Sequence, residues 1–228
     1  MAGGLGCCVF WGVGGCHQIA AVDRSLSAAT EEFLSSLSNR HPAAVTRTPD
    51  GRVCGLFIFS ELATQPSLRA LRTLPDLTSL TFRLRPENDP LNPVALHELA
   101  SLTNLQSLRI ECARSLAPGV FVEICRLSRL RTLEIARPVP PASEYPCITN
   151  LTELRELAML EAPNFGDKEL NLLVALPKLR TLRLFDTAVS SNWLAIVRSF
   201  PALVEAKVVT ADRREIVTWT RNRSSRTP

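Results

Sequence analysis

The sequence predicts an α/β solenoid, in which short strands stack into one parallel sheet and each is followed by a return segment on the opposite side. Three observations predict it. The stretch Leu176-Pro177-Lys178-Leu179-Arg180-Thr181-Leu182-Arg183-Leu184 sets leucines in an L-x-x-L-x-x-L-x-L pattern, with polar residues or proline in every gap. The pattern begins again at Leu74, Leu102, Leu127, Leu151 and Phe200; all 24 positions of the six units are apolar, 17 of them leucine, in a chain that is 46% apolar. Finally, the strand-centre residues Leu56, Leu80, Leu108, Leu133, Leu157, Leu182 and Ala206 fall 24, 28, 25, 24, 25 and 24 residues apart. A nearly fixed period of this size marks one supersecondary unit stacked repeatedly on itself.

Within each unit the final residues, such as Thr181-Leu182-Arg183-Leu184-Phe185, alternate with the period of two that a strand buried on one side requires. Leu182 and Leu184 then face the core, and Thr181, Arg183 and Phe185 face outward. These units resemble leucine-rich repeats, and a period with room for a helix after each strand is similar to the ribonuclease-inhibitor-like branch. The resemblance covers residues 53–210 and implies an arc with a parallel β-sheet on its concave face and short helices on its convex face. The family usually places Asn or Cys three residues after the second strand leucine, to tie down the turn. Here that position reads Arg85, Ala113, Pro138, Ala162, Thr187 and Ala211, so the turns are expected to depart from the regular form.

The elements follow in order. Residues 1–25 are Gly-, Ala- and Cys-rich with no Lys or Arg before Arg24, which does not fit a secretory signal; they form a flexible or unassigned leader, where Cys7 and Cys8 are candidates for acylation. Residues 26–52 form an N-terminal helical cap. Its helix follows Ser27, a hydroxyl able to cap, with Glu31 and Glu32 near the first turn and Phe33, Leu34 and Leu37 on one face. Repeats run from 53 to 210. Return helices are expected over 93–100, 119–126, 167–175 and 190–199, while Arg137-Pro138-Val139-Pro140-Pro141 argues for an extended connection between Ile135 and Leu151, because proline fixes φ and lacks a donor. Residues 85–90 should bulge as a loop. Residues 211–228 form a C-terminal cap, with Ile216, Val217 and Trp219, and a basic tail whose five arginines against two acids carry most of the chain's +4 charge.

Composition narrows the function classes. No apolar run approaches the ~18–20 residues that cross a bilayer, so a spanning helix is not expected. Seven cysteines, an odd number without any C-x-x-C pair, favour reduced thiols and a cytoplasmic setting. His17, His41 and His97 form no metal-spaced pair, and the chain lacks H-E-x-x-H, G-x-S-x-G and a phosphate-binding loop. Neither enzymatic activity nor a cofactor is expected.

The informative surface is the outward side of the sheet. One column of outward positions reads Ser79, Ser107, Thr132, Glu156, Thr181 and Glu205, and the next reads Thr81, Arg109, Glu134, Ala158, Arg183 and Lys207. A third reads Arg83, Glu111, Ala136, Leu160, Phe185 and Val209, whose last four members form an apolar stripe open to a partner unless the following loops fold over it. Arg131, Arg155 and Arg180 recur just before three strands, where stacking would align them along one rim able to attract an acidic partner; a solvated edge paired locally with Glu153 and Glu156 is the favoured arrangement. These observations predict a protein-protein interaction scaffold that holds a protein partner against Arg109, Glu134, Leu160, Arg183, Phe185, Lys207 and Val209. Two alternatives are nucleic-acid binding through the basic tail, disfavoured by the modest charge, and a substrate receptor in a ubiquitin-ligase-like complex.

Overall fold

The computed structural model describes residues 26–84, 97–111, 116–136, 140–210 and 216–221. The leader with Cys7 and Cys8, the loop at 85–90 and nearly all of the basic tail lie outside the described residues.

Leucine periodicity becomes a single nine-stranded sheet whose spatial order equals its sequence order. The strands are β1 (Val45–Arg47), β2 (Val53–Phe59), β3 (Ser79–Arg83), β4 (Ser107–Glu111), β5 (Thr132–Ala136), β6 (Glu156–Gly166), β7 (Thr181–Ala188), β8 (Glu205–Thr210) and β9 (Ile216–Thr220). From β2 to β8 neighbours are parallel, and Leu56, Leu80, Leu108, Leu133, Leu157, Leu182 and Ala206 stand side by side in one register. Each turn of the coil buries four apolar side chains against its neighbours: Leu176, Leu179, Leu182 and Leu184 are all fully buried. The fold is a leucine-rich-repeat solenoid.

Its ends are closed differently. Helix α1 (Ala28–Arg40) starts where the Ser27 side chain accepts from the Thr30 amide, and it sinks Phe33, Leu34 and Leu37 into the core. The buried Thr30 hydroxyl is satisfied by Ser27 Oγ at 2.9 Å and Thr73 Oγ1 at 3.0 Å, which ties the helix to the first coil. Beyond it β1 joins the sheet antiparallel to β2. At the far end β9 runs antiparallel to β8, with Val217 and Trp219 packed against the core.

The return segments are short. They include α2 (Gln65–Ala70), α3 (Val120–Ile124), α4 (Asp167–Leu172) and α5 (Trp193–Val197), together with several 3-10 turns. Among the described part of 93–100 only His97 and a 3-10 segment, Glu98–Ser101, bear on the helix expected there. A larger departure lies after β5. Residues 137–139 are outside the described set, but Ala142–Asn150 is a nine-residue 3-10 run, not the extended connection expected from its prolines. The 3-10 period of three explains this: it places Tyr145 and Ile148 on one side, and both are buried. Tyr145 sits edge-on between Phe121 and Phe165, with ring centroids 5.7 and 5.2 Å away, so three successive coils share an aromatic pile.

Two further findings correct sequence expectations. Cys125, at the end of α3, and Cys147, in the 3-10 run, form a disulfide with Cα atoms 5.8 Å apart, where reduced thiols were expected. Their separation of 22 residues is close to one period, so stacking brings them onto neighbouring coils. The missing turn Asn also has a substitute. Asn164 donates to the Pro140 carbonyl 24 residues earlier at 2.8 Å and accepts from the Tyr145 hydroxyl at 3.3 Å. Ala162 and Thr187, at the family position itself, are simply buried, each following a residue with positive φ: Glu161 at 53° and Asp186 at 51°.

Candidate functional site

The outward side of the sheet is built from the alternate residues left over once the leucines are buried. Register confirms its columns: Arg109, Glu134, Ala158, Arg183 and Lys207 are consecutive cross-strand neighbours, as are Glu111, Ala136, Leu160 and Phe185. Between β7 and β8 the register slips after Leu184, so that Phe185 and Asp186 together face Val209.

Its N-terminal part pairs with itself. Phe57 and Phe59, half-buried on β2, lie 4.9 Å apart, and the Arg83 guanidinium sits 5.4 Å above the Phe57 ring. Arg83 meets Glu111 at 2.9 Å, Glu111 meets Arg109 at 2.9 Å, and Arg109 meets Glu134 at 3.2 Å, a continuous chain of opposite charges across two strand junctions. Arg109 and Glu134, two of the residues expected to contact a partner, therefore neutralise each other in this structure.

Ala158 interrupts the chain of charges. Its small side chain leaves a hollow of about 50 Å³ walled by Thr132, Glu134, Glu156, Thr181 and Arg183. Arg183 is exposed and makes no ion pair or hydrogen bond among the described residues. Lys207, the next residue in the column, is held by Glu205 at 3.0 Å. Beside this column run Leu160, Phe185 and Val209, all half-buried and thus partly open to solvent. The stripe extends further than the repeat pattern indicated. Ile216 pairs across the antiparallel junction with Val209 and is 65% exposed. The sequence reading assigned it to a cap, since no repeat unit contains it; its alternation with Val217 and Trp219, both packed on the core, was the signal that it faces outward.

On the edge of the sheet Arg131, Arg155 and Arg180 do stack, and among the described residues none closes an ion pair with Glu153 or Glu156, although Arg131 and Arg155 act on Glu153 through their charge. Glu153 is bound instead by the Lys178 ammonium. That hydrogen bond holds the Glu153 carboxyl below its ordinary range, with the charges of Lys178, Arg131 and Arg155 adding to the effect. No helix among the described residues is long and apolar enough to cross a membrane.

No protein-family model matches the chain, and neither does any curated protein sequence. Solved structures similar to it include internalin C2 of Listeria monocytogenes, at 18% identity over 62% of this chain and 55% of that one, with a TM-score of 0.42. The internalin inlF of the same organism is similar at 16% identity over 85% of this chain and 60% of that one, TM-score 0.45. A leucine-rich-repeat protein of Leptospira interrogans is similar at 15% identity, covering 77% and 56%, TM-score 0.40. This chain thus spans little more than half the length of these proteins. Its fold rests on its own strand register.

Proposed function

We propose that the protein is a non-enzymatic interaction module that holds a protein partner on the C-terminal half of its concave face. The observation that carries this reading is the stripe Leu160, Phe185, Val209 and Ile216 lying beside an exposed Arg183 that makes no ion pair among the described residues. A partly exposed apolar strip bordered by an unpaired guanidinium supplies both buried area and a charge for orientation, the combination that interface centres use. Leu160, Phe185 and Arg183 are its anchors; Lys207 and Val209 extend it, and Arg109 and Glu134 border it.

The test is capture of binding proteins by the immobilised chain and by the variant carrying Leu160→Asp with Arg183→Glu. The variant is expected to lose the partners retained by the unmodified chain. Equal capture by both would remove the concave face from consideration.

The proposal also assigns the repeats to the ribonuclease-inhibitor-like branch, supported by helical returns such as α4 and α5, while the Ala142–Asn150 3-10 segment weighs the other way. A cytoplasmic setting requires that Cys125 and Cys147 be kept reduced there. Differential alkylation of the protein taken from cells measures this, and a protected pair would move the proposal to an oxidising compartment.

A further inference from the structure

The residue that precedes each strand is locked to its neighbours by backbone hydrogen bonds. Arg131 N donates to Gln106 O at 2.7 Å; Arg155 N donates to Arg131 O, Arg180 N to Arg155 O and Val204 N to Arg180 O, each at 2.8 Å. With strands ~4.8 Å apart, three guanidinium side chains leave one edge of the sheet along a line of ~10 Å. All three are exposed, and none has an ion pair or hydrogen bond among the described residues. The carboxylate between them, Glu153, is already bound by Lys178. Like charges on adjacent strands repel one another. Arg131 and Arg155 also feel the Glu153 charge, but one carboxylate shared with Lys178 leaves the strip with a net positive charge. At the next position of the same ladder stands Val204, apolar and 46% exposed.

We propose that Arg131, Arg155, Arg180 and Val204 form a docking strip for an extended acidic peptide segment, a short run of carboxylates followed by an apolar side chain. Guanidinium forks bind carboxylates bidentately and stay charged at every working pH. An extended chain advances ~3.3 Å per residue, so three or four acidic residues span the three arginines, and the residue after them reaches Val204. A nucleic acid fits less well. No aromatic ring stands among the described positions of this ladder to stack a base, and the apolar Val204 at its end offers nothing to a phosphate. The strip lies on the rim, and its occupancy does not depend on the Leu160 stripe.

The experiment uses the full chain and a fluorescein-labelled peptide of four glutamates followed by leucine, read by fluorescence anisotropy at low salt. Three small exposed pairs together predict that Arg131→Gln, Arg155→Gln and Arg180→Gln combined will weaken binding about tenfold. Val204→Ser should weaken it about twofold, the loss of a small apolar contact. Arg198→Gln, which removes an exposed charge after α5, should leave binding unchanged, as should Leu160→Asp with Arg183→Glu. The glutamine analogue of the peptide should not bind. If the triple variant is poorly folded by circular dichroism, Arg155→Gln alone supplies the answer, with an expected loss of about threefold. The proposal is overturned by unchanged peptide binding in the arginine variants, by an equal loss on Arg198→Gln, or by a thymidine oligonucleotide of the same charge binding as tightly as the peptide.

Discussion

The two halves of the concave face share a backbone and differ in what they do with their charges. From β3 to β5 each outward arginine meets a glutamate on the next strand, and the ion pairs run from Arg83 to Glu134. From β6 to β8 the same columns carry Ala158 where a counter-charge would continue the series, then Arg183, without an ion pair among the described residues, beside Leu160 and Phe185. A solenoid repeats its interior because the leucines must stack, but it places no such demand on the alternate residues. One alanine is enough to turn a self-neutralised surface into an open one.

The largest expected effect would show whether the halves stand or fall together. Leu133 is fully buried at the junction between them, and Leu133→Ala should cost between ~2 and 5 kcal/mol of stability; one thermal transition in the variant would mean that both halves unfold as a unit. Behind the same junction, breaking the Cys125–Cys147 bond by Cys147→Ser should remove about 3 kcal/mol, as expected for a closed loop of this length, with the difference abolished when both proteins are reduced.

A sharper test converts one half into the other. Ala158→Glu places a carboxylate in the hollow next to Arg183 and should lower partner capture about tenfold, the loss expected when an interface anchor is neutralised. In the N-terminal half, Arg109→Ala should cost at most about 1 kcal/mol, an effect that fades in high salt. Arg183→Ala should change stability by no more than about 0.5 kcal/mol, since the side chain is exposed and makes no ion pair or hydrogen bond among the described residues. The smallest effect at ordinary pH concerns Tyr145, the chain's sole tyrosine. Burial, and after it the Glu169 charge, push its pKa up. The unfolded chain therefore releases this proton first, and stability should decline as pH rises past the ordinary tyrosine range. Phenolate absorbance should appear only as the protein unfolds.

Much of this could be read before any coordinates. Strand centres, from Leu56 to Ala206, were legible because an apolar residue every 24 to 28 positions has no simpler explanation than stacking. The Cys125–Cys147 separation was legible in principle, being nearly one period, yet the odd cysteine count pointed elsewhere. Less visible was the edge of the pattern. β1 and β9 belong to no repeat unit, and the outward placement of Ile216 follows only from its antiparallel pairing with Val209.

The repeat itself determined the solenoid, its register and the identity of each outward column, because burying leucines at a fixed period admits one stacking arrangement. Tertiary structure alone decided which charges find each other. Arg109 pairs with Glu134 and Lys178 with Glu153, while Arg183 and the rim arginines close no ion pair among the described residues. Such choices depend on side-chain reach across a few ångströms between strands, a distance that no spacing along the chain encodes.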